Sequence, residues 1–363
     1  MPTAAPSRSE FGAFARRVLF VVLAAALAWI GYLLHHVLLL GFGAVLVAVL
    51  LRALADPIRR RTRLDAAWSL GVTALALFIL IGGIVFFVGA SVGAQMSQLG
   101  EALPEAIGKA DQEISRYQWG QWLLERVHEA PKAGVDGLAP LAGWLAHAGQ
   151  ASVTAVAEVI VVIVAGVYLA AQPALYVNGL LLLFPQHLRP TFGAAFEEMG
   201  LALRKWLLGT GAAMLAMGVL TTIGASLLHL PAPLALGLLS GLAEFVPVVG
   251  AAVSAIPALL LAATQGPSLV LWTLAFYVGV HQFEGHVLIP LIQRKVVAVP
   301  PAMTLFSILG FGVLFGPVGI IFATPLAVVL MVLVKHLHPE AAEKLAEAEP
   351  ETKTHPVGAR GKV

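Results

Sequence analysis

The chain has 363 residues, 59% hydrophobic and 12% charged, with mean hydropathy +0.89 and net charge +2. Soluble domains carry about 25% charged residues, so the composition excludes them and indicates an integral membrane protein whose first partner is the lipid bilayer. The absence of cysteine excludes disulfides, iron–sulfur clusters and thiolate zinc sites; no cofactor, metal or nucleic acid is expected.

Residues 1–17 are polar, with Arg8, Arg16 and Arg17, and read as a cytoplasmic N-terminus. From Val18 to Leu51 the chain is apolar except near Gly31–His36. About 20 residues cross the hydrocarbon, so this run predicts two short spans with an outer turn at His35-His36. A cleavable signal peptide around Ala26-Leu-Ala28 is the lesser alternative, because no polar mature start follows. The segment 52–65 holds five arginines against two aspartates, the mark of a cytoplasmic loop. A third span follows Trp68, completing a unit over 18–94. Gly89 and Gly93 have the four-residue spacing of close helix packing.

Residues 95–150 form the one long polar region between spans, with four basic and seven acidic residues. Ile107, Ala110, Ile114 and Tyr117 recur at helical spacing behind Pro104. With Trp119, Trp122 and Trp144 they predict an external amphipathic insert on the membrane interface, or a helical cap on the transmembrane body.

The transport core is expected over 151–338. Segment 151–171 returns inward carrying Glu158, read as an interfacial, snorkelling carboxylate. Phe192, Phe196, Met199, Leu203 and Trp206 form one stripe, predicting an amphipathic helix on the inner surface. Residues 207–228 cross outward. Segments 234–263 and 300–334 are apolar but interrupted, the first by Pro247, Gly250 and Pro257, the second by Gly316-Pro-Val-Gly319 and Pro325. Both ends of the first lack Lys and Arg, whereas the second lies between Arg294-Lys295 and Lys335. Two hairpins therefore enter from opposite sides, dipping halfway or spanning fully, and are expected to meet near the midplane. Broken backbone at membrane depth survives only where protein or water surrounds it, and paired interruptions point to a substrate site. Free amides and carbonyls around Pro247, Gly250, Gly316, Pro317 and Gly319 would line it. Residues 339–363 read as a charged cytoplasmic tail.

Ionisable groups inside a membrane are functional candidates by default. Glu284 is the sharpest, because His281 lies three residues earlier on the same helical face; the pair could load and release a proton or exchange it for a cation. A buried helix–helix hydrogen bond is the bland reading. Glu244, before Pro247, could meet cations or cap the broken backbone. Gln282 and Gln293 suit a polar solute or bundle packing equally. Gly237/Gly241 and Gly312/Gly316 suit close packing. A metallohydrolase reading of His281-Gln-Phe-Glu-Gly-His286 fails, because His286 lies about 200° round from Glu284. No Gly-x-Ser-x-Gly elbow or phosphate loop is present, so the chain reads as a non-enzyme. A passive channel or scaffold is the remaining alternative.

Glu244-Phe-Val-Pro-Val-Val-Gly250 with Ile256-Pro257, Gln282-Phe-Glu-Gly-His-Val-Leu-Ile-Pro290, and Phe315-Gly-Pro-Val-Gly-Ile-Ile-Phe-Ala-Thr-Pro325 resemble the autoinducer-2 exporter (AI-2E) family of bacterial inner-membrane proteins. The likeness covers about residues 15–338, including the early spans, arginine-rich segment and outer insert. It implies a secondary exporter of a small polar solute, such as autoinducer-2, or a Na⁺(Li⁺)/H⁺ antiporter. It also implies a homo-oligomer, apparently a pentamer. His286 stands where the family usually has Asn, Gly209-Thr210 where Gly-Gln is common, and Gln172 where an acidic residue is usual. The expectation is thus an all-α polytopic membrane protein with about six full transmembrane helices, two interrupted hairpins and cytoplasmic termini. Its substrate- or ion-binding residues would be Glu244, Pro247, Gly250, His281, Gln282, Glu284, His286, Gly316, Pro317 and Gly319.

Overall fold

The computed structural model describes residues 29–62, 67–80, 153–247, 249–288 and 300–337, with a few isolated positions besides. The N-terminus 1–17, the insert 95–150, Gln293 and the tail 339–363 lie outside the described residues, as do Gly89 and Gly93. Among the described residues all regular structure is helical. The helices are α1 (His35–Thr62), α2 (Ala67–Leu80), α3 (Val153–Ala171), α4 (Pro173–Leu181) and α5 (Arg189–Leu227). Then come α6 (Pro233–Ala243), α7 (Val249–Ala263), α8 (Pro267–Phe283), a π-helical turn (Glu284–Leu288) and α9 (Pro301–Leu337).

The helices α1, α5 and α9 are long and apolar enough to cross a membrane; α3 and α4 together make a fourth candidate, bent by 88° at Gln172. The shorter apolar helices α2, α6 and α7 complete an all-α polytopic membrane protein. Pro173 causes the bend, since it has no amide for Leu169 and its ring would clash with that carbonyl. Many large apolar side chains face outward, among them Leu215, Trp272, Phe306 and Val313, as expected where lipid is the solvent.

Small residues decide which helices touch. Gly166 of α3 leaves no room for a β-carbon against Val47 of α1, and Gly43 admits the Phe322 ring of α9. Leu46, Met199, Leu203, Trp206, Val328 and Val332 form a core shared by α1, α5 and α9. At one end the charges gather. Arg204 pairs with Asp56 at 2.6 Å, Lys335 with Glu198 at 2.9 Å, and Arg52 donates to the Ala170 carbonyl at 2.8 Å. This arginine end joins α1, α3, α5 and α9.

Three sequence expectations are corrected. No hairpin forms at the His pair: the helix has a one-residue break at Leu34, across which Leu34 and Leu38 keep i→i−4 bonds to Ile30 and Leu34. His36 instead reaches Glu158 at 3.1 Å, and His35 stacks on Phe315. Residues 52–62 of the arginine-rich segment are helix, the last turns of α1, despite Pro57. The 192–206 stripe is no separate surface helix, since α5 runs unbroken for 39 residues. Its Met199, Leu203 and Trp206 face the protein core, and Phe192 and Phe196 pack with Phe184.

Candidate functional site

Two hairpins position the candidate residues. In the first, α6 descends beside α5, where a β-carbon on Gly237 would meet Thr222 and one on Gly241 would meet the Met214 carbonyl at 2.7 Å. This is the close packing that the Gly237/Gly241 spacing predicts. The chain turns between Glu244 and Val249 and returns as α7. Phe245 at this tip packs edge-on against Trp206, ring centroids 5.5 Å apart, beside Arg204 and Lys205. The tip therefore reaches toward the arginine end. In the second hairpin the limbs of α9 join at Gly316, whose backbone (φ 67, ψ −151) suits only glycine. Phe315 stacks on His35 at 5.6 Å, so this turn lies at the opposite end of the bundle.

The hairpins do enter from opposite sides, but their turns do not meet at the midplane. Phe245 packs with the core that contains Val328, and Gly316 lies 12 residues up the helix from there, about 18 Å away. Gly316, Pro317 and Gly319 are thus apart from the first tip. A β-carbon on Gly319 would strike the Phe311 carbonyl, so this glycine closes its own hairpin. The expectation of free amides at the first tip also fails. Glu244, Phe245 and Val246 donate to Ser240, Leu242 and Ala243; Val249 and Gly250 donate to Pro247 and Val246 at 2.8 and 2.9 Å. Such pairing is what a buried turn requires.

What the fold brings together is side-chain chemistry. Glu244, 6% exposed at the tip, lies beside Glu284, 9% exposed at the start of the π-turn, close enough for the two carboxyl groups to interact. His281 Nδ1 stands 2.9 Å from Glu284 Oε2, so its N–H donates to the carboxyl oxygen. Two carboxylates so placed can only accept and would repel one another, so a proton held between them would relieve the pair. Among the described residues no Lys or Arg interacts with these three side chains. Among the described residues no group of three or more His, Asp or Glu could hold a metal ion.

The other predicted residues divide. Pro247 and Gly250 shape the tip; a β-carbon on Gly250 would collide with the Ala243 carbonyl. Gln282 and His286 are exposed and do not join the pair; His286 Nδ1 turns back to the Gln282 carbonyl at 2.9 Å. The π-turn itself was not read from sequence. Its physical signal is Pro290, which removes an amide and crowds the turn before it, and such turns gather at functional sites. Three buried hydroxyls, Ser240, Thr273 and Tyr277, also gave no signal in the sequence.

An all-helical membrane body in which a carboxyl group on a hairpin tip meets a carboxyl group and an imidazole on the following helix defines the class of polytopic membrane proteins with intramembrane ionisable sites. A family profile described as "AI-2E family transporter" matches residues 18–338, and the chain belongs to that family of membrane transporters. It is 25% identical to YueF of Bacillus subtilis (strain 168) over 304 residues, 80% of this chain and 82% of the relative. A relative from Mycobacterium tuberculosis is 26% identical over 322 residues, 84% and 85% of the two chains. YrrI of Bacillus subtilis is 34% identical over 155 residues, 42% of this chain and 44% of the relative. All three carry the name "Putative transport protein".

Proposed function

We propose that this transporter is a secondary one, coupled to protons through the Glu244–Glu284 pair and exporting a small polar solute of the autoinducer-2 type. The observation that carries this reading is the meeting of Glu244, on a hairpin tip, with Glu284 and His281 across two separate elements. Each carboxyl is costly at membrane depth, by about 3 kcal/mol on insertion scales, and one shared proton makes the pair a store that movement of the tip can open. Separating α6–α7 from α8 would part the carboxyls and release that proton. Rejoining would need one again, which ties proton movement to alternating access.

Na⁺(Li⁺)/H⁺ antiport is the second reading. Two carboxylates that lose their shared proton offer up to four oxygens and a net charge of −2, which a monovalent cation restores to −1. A one-for-one exchange follows. In either case the arginine end would face the cytoplasm of a bacterial inner membrane, because Lys and Arg in short flanking segments stay inside. The apolar outer face of α9, with Phe306, Leu309 and Val313 exposed, supports lipid contact or assembly into a homo-oligomer, a pentamer by family resemblance.

The test is transport by the full chain in proteoliposomes, with an entrapped pH dye, against autoinducer-2-like diols, Na⁺ and Li⁺. Glu284→Gln and Glu244→Gln should each slow coupled flux at least about tenfold, the loss of roughly one charge-assisted hydrogen bond. They should also flatten its pH dependence. Wild-type rates and pH profiles in both variants would remove the pair from the mechanism.

A further inference from the structure

Above the carboxyl pair, one face of α8 carries Thr273, Tyr277, His281 and Glu284 at spacings of four, four and three residues, a single helical stripe. The facing helix α6 repeats the pattern with Ser240 and Glu244. Thr273 is 0% exposed, Ser240 3% and Tyr277 4%. Their hydroxyl oxygens, together with His281 Nε2, are the buried side-chain polar atoms without a hydrogen-bond partner among the described residues. The Tyr277 hydroxyl lies against Ser240, yet the two do not meet in hydrogen-bond geometry.

An orphaned buried hydroxyl costs about 1–3 kcal/mol. Four orphaned atoms in one row, ending on the carboxyl pair, are therefore not what packing alone would select. We infer that the row Thr273–Tyr277/Ser240–His281 is a proton path, admitting bridging water when the hairpin α6–α7 shifts from α8, that feeds the Glu244–Glu284 pair from the Pro267 end of α8. This inference rests on the proposed function and names the route its proton takes.

The orientation of His281 supports the direction. Its Nδ1–H donates to Glu284, which leaves Nε2 as a lone-pair acceptor, and that is the buried atom of the ring without a partner among the described residues. A proton arriving through the hydroxyls forms an N–H bond at Nε2. The Nδ1–H bond then breaks as an O–H bond forms on Glu284, and the imidazole ends neutral in its other tautomer. Each hydroxyl gives one proton and receives one from its neighbour, so water at the far end supplies the net proton. Reorientation of the ring resets the relay.

Size also favours a proton over a solute. Tyr277 sits packed among Leu236, Ala258 and Ala262, which leaves the row enclosed by side chains on three helices. The row spans 11 residues of α8, about 16 Å, and Thr273 lies less than two turns from the exposed Ser268. Among the described residues no competing charge borders it. Within the helices packed on α8, α7 has no titratable residue, α5 has none from Trp206 to Leu227, and α6 contributes only Glu244 at its end.

The experiment follows protonation of the pair directly. The full chain in lipid nanodiscs is given a light-triggered pH jump, and the infrared band of protonated carboxyl is followed in time, assigned by its loss in Glu244→Gln. Thr273→Val and Tyr277→Phe keep shape and remove the hydroxyl. Each should slow the band at least about tenfold with the same final spectrum, whereas Thr273→Ser should restore the wild-type rate. Ser240→Ala provides a third removal should either variant misfold, as judged by its melting curve. Wild-type rates in the hydroxyl-less variants would overturn the path while leaving the pair intact. A wild-type protein with no exchangeable, Glu244-dependent carboxyl band would overturn the pair's role and the path with it.

Discussion

Gly250 and Glu284 show how far single residues commit this protein. Gly250 turns the hairpin so tightly that its α-carbon abuts the Ala243 carbonyl, and backbone cannot yield as a flexible side chain would. Gly250→Ala should therefore destabilise the protein by about 1–3 kcal/mol through overpacking, read as a lowered melting temperature in detergent. It should also disturb the Glu244 contact six residues before it. Glu284, Glu244 and His281 could each be singled out in the sequence, because ionisable groups among apolar residues stand out at membrane depth. Their meeting could not, since Glu244 and Glu284 are forty residues apart and nothing local records a contact between hairpin and helix. Gln282 and His286 belong to the same motif and turn outward, a consequence of helical phase.

That phase is set at the scale of the element. The π-turn from Glu284 to Leu288 holds one residue more per turn than an α-helix, which rotates the residues after it by about 100°. Pro290 is its physical cause on our reading. Pro290→Ala should let the ladder close as ordinary α-helix, shift Glu284 relative to Glu244, and alter the pH profile of transport; an unchanged profile would show that the turn is held by something else. The other hairpin depends on Gly316. Its backbone conformation costs other residues about 1–3 kcal/mol, so Gly316→Ala should lower the melting temperature while leaving the carboxyl pair, at the far end of the bundle, spectroscopically unchanged. Sequence showed that both segments were interrupted. It did not show that one interruption is a closed, hydrogen-bonded tip and the other a reversal at the single residue Gly316, because proline and glycine mark a break without specifying how its amides are satisfied.

Across the whole molecule, the ion pairs at the arginine end tie α1, α5 and α9 together, but they are exposed: the Arg204 and Asp56 side chains are 34% and 37% accessible. Arg204→Ala should accordingly cost no more than about 1 kcal/mol, and less in high salt, measured by thermal melts at two ionic strengths. The absence of cysteine makes orientation directly testable. In intact cells an impermeant thiol reagent should reach Ser268→Cys and not Arg61→Cys; the reverse labelling would invert the membrane orientation.

Composition, charge and the two apolar segments broken by proline and glycine determined by themselves that this is an all-helical membrane protein with opposed hairpins, since hydropathy and backbone breakers act through the local chain. The continuity of α5, the contact of His36 with Glu158 and the pairing of Glu244 with Glu284 were decided only by tertiary structure. Those depend on which faces pack. A buried carboxyl finds its partner through the approach of glycine-lined helices, and no spacing along the chain encodes that approach.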